Sequence, residues 1–333
     1  YGRGENDALL EIADKVYYYK RHLRLIDQLS PLPFIVKSRW NNTLFKRLLL
    51  DNDPILMEGH HTTACLLDSR FKNRKLFVRI HNVEQDYYQA LGEKAKWMKR
   101  IYFKMEARKL RRYEKFLNRA DALFCLTKTD LNHFSKVNGK VHLWDIGLDT
   151  DIEEYWGEVE HQVVYHGNLS VAENQEAVTN LLKVWVEENV EVPLIIAGKS
   201  PSKKMEEQIA ALKQVRLIPN PATGDLFELI KKSEYNLSMS NQATGIKIKL
   251  IYNLLMGNRC LVNQTVVENT GLGEFCEVFY NNKDLINKLV ETKLKVSDVK
   301  KIRMEKIKDR FNAKNNAAGM IQLIFDKEPV KKS

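Results

Sequence analysis

Residues 244–262 read TGIKIKLIYNLLMGNRCLV, and this stretch decides the fold. A short polar loop leads into a helix that a glycine, Gly257, brings to an end. The apolar run 259–262 that follows predicts a buried strand. Helical spacing gives one buried face, formed by Leu250, Ile251, Leu254 and Leu255. The stretch therefore predicts a helix followed directly by a strand, the unit from which α/β proteins are built.

Two lysines, Lys247 and Lys249, stand where this helix begins. The unpaired amides of a helix start carry partial positive charge, so cations there are unfavourable unless an anion joins them. A bound phosphate would resolve the conflict. Residues two apart do not share a helix face, so we expect the helix to begin near Lys249 and only this lysine to clamp a phosphate. Two solvated surface lysines are the plain alternative.

Short apolar runs alternate with helical stretches along the whole chain. Predicted strands cover 16–19, 34–36, 55–58, 76–80, 122–126 and 141–146, then 163–166, 194–197, 215–218, 235–239 and 259–262. Predicted helices cover 5–14, a long segment 87–119, then 174–188, 203–212, 225–232 and an amphipathic tail at 296–326. Repeated βα units with short connections predict parallel sheets. Two series, divided by the acidic stretch 149–160, predict an α/β fold of two doubly wound, Rossmann-like parallel-sheet domains facing across a cleft.

The chain of 333 residues has a net charge of +10, which suggests an anionic partner. Nucleic acid, a phosphorylated metabolite and an anionic membrane surface all satisfy that charge, but no nucleic-acid-binding module is visible, and we expect no nucleic acid partner. Four widely spaced cysteines favour a reducing compartment. The sequence shows neither a signal peptide nor an apolar run long enough to span a membrane. We therefore expect a cytoplasmic protein, with the inner membrane face as a peripheral location.

In open α/β sheets, ligands bind outside the carboxyl ends of the strands. In the first half, two neighbouring strand ends are followed by His60 and His61 and by His81, Asn82 and Glu84. A lone histidine there is more often structural, but three at adjacent strand ends favour a functional site. The adjacent pair lacks the spacing of a zinc motif, and the Asp-x-Asp pairs at 51–53 and 149–151 read as turns. We therefore expect no metal.

In the second half, polar loops follow three successive strands. Gly167 and Asn168 follow the first, Gly198-Lys199-Ser200 follows the second, and Pro219-Asn220-Pro221 follows the third, after Ile218. A glycine loop before a helix can hold a phosphate, and a rigid turn can support a flat base. Each is, on its own, more often an ordinary βα turn.

The predicted helix over 94–119 is strongly basic. Its apolar residues fall on one stripe that we expect to pack inward, formed by Ala95, Met98, Tyr102, Met105, Tyr113 and Phe116. Most lysines and arginines lie elsewhere on the helix, and a solvated face is the default interpretation. A face resting on anionic lipid, with Trp97 as an interface anchor, stays open as the alternative.

Three motifs carry a resemblance to a known family. The segment 164–174 (VYHGNLSVAEN) resembles the strand, glycine loop and asparagine that open the second domain of the GT-B fold glycosyltransferases. The segment 249–257 (KLIYNLLMG) resembles their Lys-Leu-x-Glu-Tyr-x-x-x-Gly helix. The segments 79–84 (RIHNVE) and 86–88 (DYY) look like a bacterial subset concerned with polysaccharide assembly. The resemblance is to the large retaining, metal-independent group typified by glycogen and sucrose synthases and bacterial mannosyltransferases.

The resemblance implies a division of labour. Residues 1–152, completed by terminal helices at about 312–328, would form an acceptor-side domain, and residues 160–311 would bind a nucleotide-sugar. His81 would be catalytic, beside the donor sugar and the attacking hydroxyl, and the other acceptor-side residues would be His60, His61, Asn82 and Glu84. The donor-binding residues would be Gly167, Asn168, Lys199, Ile218, Asn220, Thr244, Lys247, Lys249 and Tyr252. The implied activity is transfer of a hexosyl-type sugar from a nucleotide-diphosphate donor to a glycan or lipid-linked acceptor in polysaccharide biosynthesis, with no cofactor and no metal.

Two departures from the family pattern leave alternatives open. The family has two glutamates separated by seven residues, and here Thr244 and Tyr252 occupy those positions. The first strand of the family and its glycine loop have no counterpart, so the first βα unit is expected to be missing, and a chain that begins at Tyr1 is expected to show weak or no turnover. A non-catalytic glycan- or polyanion-binding homologue and a nucleotide-sugar epimerase are the alternatives.

Overall fold

The computed structural model describes residues 5–241, 247–290 and 296–325. Its contacts divide the chain into two units, each built around a parallel sheet. Unit 1 contains the chain up to Asp145 together with the C-terminal residues from Ala318, and unit 2 runs from Ile146 to Ala317. The predicted α/β class with two parallel-sheet units is confirmed.

Unit 1 has a four-stranded parallel sheet in the order β1-β2-β3-β4. The strands are β1 (Ile55–Glu58), β2 (Leu76–Ile80), β3 (Ala122–Cys125) and β4 (Val141–Leu143). Its helices are α1 (Phe34–Lys37), α2 (Asn42–Leu48), α3 (Glu84–Lys94), α4 (Trp97–Tyr113) and α5 (Lys128–Phe134), with 3-10 turns at Asp7–Glu11, Leu25–Leu29, His60–Leu67, Ser69–Phe71 and Glu114–Arg119. Strand β3 is buried along its whole length, and β2 is buried except at the half-buried Arg79, as expected for strands inside a parallel sheet.

Unit 2 has a six-stranded parallel sheet in the order β10-β9-β8-β5-β6-β7. The strands are β5 (Glu160–Asn168), β6 (Leu194–Lys199), β7 (Val215–Pro219), β8 (Ser233–Ser238), β9 (Arg259–Asn263) and β10 (Glu277–Phe279). The helices after β5 are α6 (Ala172–Glu187), α7 (Lys203–Ala210), α8 (Thr223–Lys232), α9 (Ile248–Met256), α10 (Gln264–Val267), α11 (Asn282–Val290), α12 (Val296–Phe311) and α13 (Ala313–Ile324), with a 3-10 turn at Gly273–Phe275. The strand order reverses direction at β5 and β8, where doubly wound sheets bind ligands.

The C-terminal helix α13 returns to unit 1. Met320 and Ile324 of α13 pack with Phe77, Ala122 and Phe124 in a small core cluster on the unit 1 sheet. The last described residues therefore help to cover the sheet of the first unit.

Two predicted strands of the first half are wrong. Residues 34–36 lie in the short helix α1, which begins directly after Pro33, and the amide of Phe34 donates to the Glu106 carboxylate at 2.6 Å. An apolar run this short fits a strand or a helix turn equally well. Residues 16–19 form no strand, and Tyr17 and Tyr19 pack instead on Arg47, whose guanidinium lies 3.6 Å from the centre of the Tyr17 ring.

The predicted helices of unit 1 also need correction. The long helix over 87–119 is interrupted, since Ala95 and Lys96 have extended backbone between α3 and α4. The two helices pack against each other, and Gly92 permits the close approach because a Cβ there would lie 3.3 Å from Cβ of Phe103. The helix predicted over 5–14 is a 3-10 turn at Asp7–Glu11. Among the described helices, none has the length and apolar character needed to cross a bilayer.

Candidate functional site

Lys249 occupies a half-buried position at the carboxyl end of the unit 2 sheet. Its ammonium donates to the Tyr165 hydroxyl at 3.1 Å, to Oδ1 of Asn174 at 3.0 Å and to the Met239 carbonyl at 3.5 Å. It also lies 4.6 Å from the centre of the Tyr165 ring. All of these described partners are uncharged, and burial lowers the pKa of Lys249 to about 8, with Glu173 opposing that shift and Lys247 adding to it. The position therefore holds a cation that can accept an anionic ligand.

Lys247 differs from Lys249 in having a carboxylate partner. Its ammonium lies 3.2 Å from Oε1 of Glu173, and the Ser240 hydroxyl donates to the same oxygen. Helix α9 begins at Ile248, with Lys247 as its N-cap residue, so the predicted helix start is confirmed. Although the two lysines are two residues apart, both side chains reach the first turn of α6, where Glu173 and Asn174 are adjacent.

The remainder of α9 is fixed by a buried chain of hydrogen bonds. His166 Nε2 and Oδ1 of Asn253 lie 2.8 Å apart, and Nδ2 of Asn253 donates to the Ser238 hydroxyl at 3.1 Å. All three residues are buried. Burial lowers the pKa of His166 to about 4, although its bond to Asn253 opposes the shift, so the imidazole is neutral near pH 7. Neighbouring strands β5 and β8 thus hold the helix that carries Lys249.

The carboxyl ends of β5 and β6 approach each other closely at two glycines. Gly167 pairs with Gly198, and Asn168 with Lys199, at the ends of β5 and β6. A Cβ on Gly198 would lie 2.0 Å from the Gly167 carbonyl oxygen, so only glycine fits there. Asn174 donates from Nδ2 to the Asn168 carbonyl at 2.9 Å, which connects this loop to the Lys249 cluster. The glycine loop and Lys249 therefore belong to one site.

The loops after β6 and β7 are joined to each other rather than to Lys249. The amide of Ser200 donates to Oδ1 of Asn220 at 2.8 Å, and the amide of Asn220 donates to the Gly198 carbonyl at the same distance. Both Ser200 and Asn220 have positive φ, 54° and 50°. Ile218 is half-buried, whereas Lys199 and Asn220 are exposed. These loops form a rigid rim, and the role of their residues toward a base stays a prediction.

The two positions that replace the family glutamates give different outcomes. Thr244 lies outside the described residues. Tyr252 is half-buried on α9 and packs against Phe227 of α8, with ring centres 5.3 Å apart. Its ring therefore belongs to the apolar contact between two helices, and its predicted contact with a ribose remains untested.

In unit 1, the carboxyl end of the sheet carries a histidine–carboxylate pair. Nε2 of His81 lies 2.8 Å from Oε2 of Glu58, and the guanidinium of Arg79 lies 3.5 Å from Oε1 of the same carboxylate. Burial acts to raise the pKa of Glu58, but the hydrogen bond to His81 and the charge of Arg79 outweigh it, and the net pKa is lowered. Glu58 is thus ionised near pH 7 and orients the His81 ring.

The other two histidines of this edge are less accessible. His60 is buried against Phe134, 5.5 Å between ring centres, and neither ring nitrogen has a hydrogen-bond partner among the described residues. Burial and the neighbouring His61 lower its pKa to about 3. Burial and Arg39 lower the pKa of His61 to about 4. Both rings are neutral near pH 7, so neither supplies a charge to a ligand.

Glu84 is a partly buried carboxyl group at the start of α3. Burial raises its pKa to about 7, against the opposing charges of His81 and Arg39. Asn82, two residues earlier, has a buried Oδ1 without a partner in the described structure. Glu84 and His81 therefore lie at the same strand end, where His81 acts on the ionisation of the Glu84 carboxyl group.

Sequence reasoning missed three residues of these two edges. Tyr165 lies inside a strand, and its place in an apolar run gave no indication that its hydroxyl would contact a site residue rather than belong to the core. Asn174 was visible only as part of a loop motif, not as the partner of Lys249. Glu58 ends β1, and its contact with His81 depends on the register that pairs Glu58 with Arg79 of β2. Within the described residues, no group of three or more histidine, cysteine, aspartate or glutamate side chains is arranged to hold a metal ion.

No family model matches the sequence. A curated relative from Klebsiella pneumoniae, described as an uncharacterized 44.6 kDa protein in cps region, is 26% identical over 289 residues, covering 79% of this chain and 71% of the relative.

Several solved structures are similar in fold. Anabaena Alr3699/HepE in complex with UDP-glucose is 13% identical with a TM-score of 0.63, over 91% of this chain and 84% of that one. An S. aureus TarM mutant in complex with fondaparinux, α-GlcNAc-glycerol and UDP is 12% identical with a TM-score of 0.62, over 84% of this chain. The chain spans only 57% of the TarM chain. The N-terminal domain of Candida albicans trehalose-6-phosphate phosphatase is 13% identical with a TM-score of 0.62, over 89% of this chain and 75% of that one. At these identities the likeness shows the fold alone, and that fold is GT-B.

Proposed function

We propose that this protein is a glycosyltransferase that moves a sugar from a nucleotide-diphosphate donor to a glycan or lipid-linked acceptor in polysaccharide biosynthesis. The observation that carries the proposal is Lys249, a half-buried cation whose described hydrogen-bond partners are uncharged, beside the glycine loop of unit 2. A charge that is partly removed from water is costly unless it is paired, and a diphosphate would pair it. The GT-B fold and the solved complexes of HepE and TarM with UDP or UDP-glucose support this assignment.

The proposed chemistry uses fixed charges. When a nucleoside diphosphate leaves the sugar, negative charge develops on its phosphate oxygens, and preorganised cations and amides stabilise that charge. Lys249 would contact these oxygens, and the Gly167–Asn168 backbone together with the positive end of α6 would add amide donors. Lys247, whose charge is paired with Glu173, would contribute less to stabilising these phosphate oxygens than Lys249 does. Such a site needs no metal to neutralise the diphosphate, and we expect activity in the presence of a chelator.

In unit 1, His81 is the proposed catalytic residue. Glu58 holds its ring, and the half-exposed imidazole is accessible to a substrate hydroxyl. The charge that His81 gains on accepting a proton would be stabilised by the Glu58 carboxylate. We propose that the acceptor side is formed by His60, His61, Asn82 and Glu84. We also propose that the transfer retains the anomeric configuration of the sugar. The relative in a cps region supports a role in capsule-type polysaccharide assembly.

A second candidate is a non-catalytic glycan- or polyanion-binding protein. The position at which the related family has its second glutamate holds Tyr252, whose ring packs against Phe227 instead of presenting a carboxylate. A protein that has lost this group can keep the fold and the anion site while losing turnover.

Isothermal titration with UDP-, GDP- and ADP-sugars tests the proposal, followed by an assay for release of the nucleoside diphosphate. The glycosyltransferase proposal expects one donor to bind and to be consumed when an acceptor is added. Binding without turnover would support the binding-protein candidate. Failure of all three donors to bind would contradict the glycosyltransferase proposal and leave binding of a glycan or polyanion as the candidate.

A further inference from the structure

Helix α4 carries an apolar stripe that faces solvent. The exposed fractions are 71% for Trp97, 67% for Met98, 51% for Ile101 and 41% for Met105, and their spacing places them on one face of the helix. The sequence predicts that Met98 and Met105 pack inward, and this prediction is wrong. The residues that α4 buries are Glu106, Leu110 and Tyr113, on a different face. We call the four exposed residues the α4 stripe.

The same helix is strongly cationic. Its sequence WMKRIYFKMEARKLRRY has seven lysines and arginines and one acidic residue. That acid, Glu106, is buried and already satisfied, since it accepts hydrogen bonds from the Phe34 amide at 2.6 Å and from Nζ of Lys109 at 2.7 Å. Arg108 and Arg112 are exposed and continue the line of Ile101 and Met105 at helical spacing. The exposed face is therefore apolar in its first two turns and cationic in its last two.

A second exposed apolar segment lies beside α4. Nζ of Lys109 donates to the Gln28 carbonyl at 2.5 Å, which holds the 3-10 turn Leu25–Leu29 against the helix. Leu25 and Leu29 at the two ends of this turn are both largely exposed. Exposed apolar side chains that cluster on a protein surface generally mark a contact surface.

We propose that the α4 stripe docks unit 1 on a bilayer that contains anionic lipid. Tryptophan and aliphatic side chains enter the boundary between headgroups and acyl chains, while flanking arginines and lysines meet lipid phosphates. A nucleic acid would match the cations but would leave the methionine and isoleucine side chains in water. An acidic protein surface would have to supply both an apolar groove and a negative rim, whereas an anionic bilayer supplies both without a specific sequence. The proposal does not depend on the donor site of unit 2.

Co-sedimentation of the full chain with lipid vesicles tests this surface. The probes are vesicles of phosphatidylcholine alone and of phosphatidylcholine mixed with phosphatidylglycerol. We expect binding to the mixed vesicles only, weakened by added salt because surface charges are screened. The tryptophan emission should shift to shorter wavelength on binding, and Trp97→Phe should remove that shift because the emission of the other tryptophans does not change on binding.

Paired variants separate a specific surface from general basicity. Arg108→Gln with Arg112→Gln should weaken vesicle binding by roughly 30-fold, at about 1 kcal/mol for each cation near the surface. Trp97→Ser with Ile101→Ser should also weaken vesicle binding. This loss should persist at high salt, because burial of apolar side chains in the bilayer is not screened by salt. The matched control is Lys203→Gln with Lys204→Gln, which removes the same charge from exposed positions on α7 of unit 2.

Three outcomes would overturn the proposal. These are absence of binding to anionic vesicles, binding that survives both α4 pairs, and binding that the α7 pair weakens as much as the α4 arginine pair does. All six substituted side chains are exposed, so the variants are expected to fold, and thermal unfolding checks this directly. A face used by a protein partner would give the first outcome.

Discussion

The two sheets end in polar groups of different kinds. At the carboxyl end of the unit 2 sheet, Lys249 is held by uncharged oxygens beside bare glycine backbone. At the carboxyl end of the unit 1 sheet, His81 is paired with Glu58, and Glu84 has its pKa raised to about 7 by burial. The first arrangement presents a positive charge, and the second presents a histidine paired with a carboxylate together with a carboxyl group, Glu84, whose pKa lies near neutral pH. One edge is therefore suited to binding an anion and the other to moving a proton.

The largest expected effect concerns the bare backbone of unit 2. Gly198→Ala would place a methyl group 2.0 Å from the Gly167 carbonyl oxygen, and we expect a loss of roughly 2–4 kcal/mol in the free energy of unfolding. Urea denaturation measures it. Gly224→Ala is the control, since a Cβ there meets nothing within 4 Å and alanine favours the helix by about 1 kcal/mol. Equal stability of the two variants would show that the close approach of these strands does not matter.

The second prediction separates the two lysines. Lys249→Ala should weaken binding of UDP by roughly 10- to 100-fold, the usual range for losing a hydrogen bond to a charged group. Lys247→Ala should have a smaller effect because its charge is already balanced by Glu173. Isothermal titration measures both, with exposed Lys203→Ala as the control for net charge. If the two variants lose the same affinity, the distinction between a paired and an available lysine has no functional meaning.

The third prediction uses pH to test the same cation. Burial lowers the pKa of Lys249 to about 8, so its ammonium is charged at pH 7 and mostly neutral at pH 9. An anion binds the charged form, and affinity for UDP-glucose should therefore fall about tenfold between these two pH values. In Lys249→Arg the side chain stays charged, and the decline should largely disappear. A decline of the same size in the arginine variant would assign it to another group.

The smallest effect concerns the titratable edge of unit 1. The folded-state pKa of Glu84 is raised from 4.5 to about 7, so the folded state loses stability as pH rises through this window and the carboxyl ionises. Glu84→Gln removes that loss and should stabilise the protein by about 1 kcal/mol at pH 8, allowing for partial exposure, and by little at pH 5. Unfolding curves at the two pH values measure the difference. Exposed Glu93→Gln on the same helix should show no such pH dependence.

The sequence predicts the sheets better than it predicts where side chains go. The five predicted strands of unit 2 all exist because continuous apolar runs bounded by turn residues leave few alternatives to a strand buried on both faces. Strand β10 and helix α11 were not predicted, and the apolar run at 34–36 lies in a helix because three residues are too few to distinguish helical from strand periodicity.

Contacts between distant residues were the hardest to foresee. Lys249 was identified from a local conflict of charge with the helix start, but its partners Tyr165 and Asn174 lie 84 and 75 residues away. Glu58 meets His81 only through the register of two strands. The inward stripe predicted for the long helix was only partly right, since Tyr113 is buried as expected but Met98 and Met105 are exposed.

The hydrogen-bonded chain from His166 through Asn253 to Ser238 has a consequence for how a ligand would be recognised. Asn253 lies one helical turn after Lys249, so its buried hydrogen bonds to β5 and β8 fix the helix that carries the lysine. The position of the lysine therefore does not depend on a loop that must first become ordered. A ligand that binds there would lose translational and rotational entropy, but the protein would lose little conformational entropy because the lysine is already ordered. This favours tight binding of small groups. Differences in ligand selectivity between related chains should then arise from the surrounding loops, whereas the position of the ammonium group should be the same.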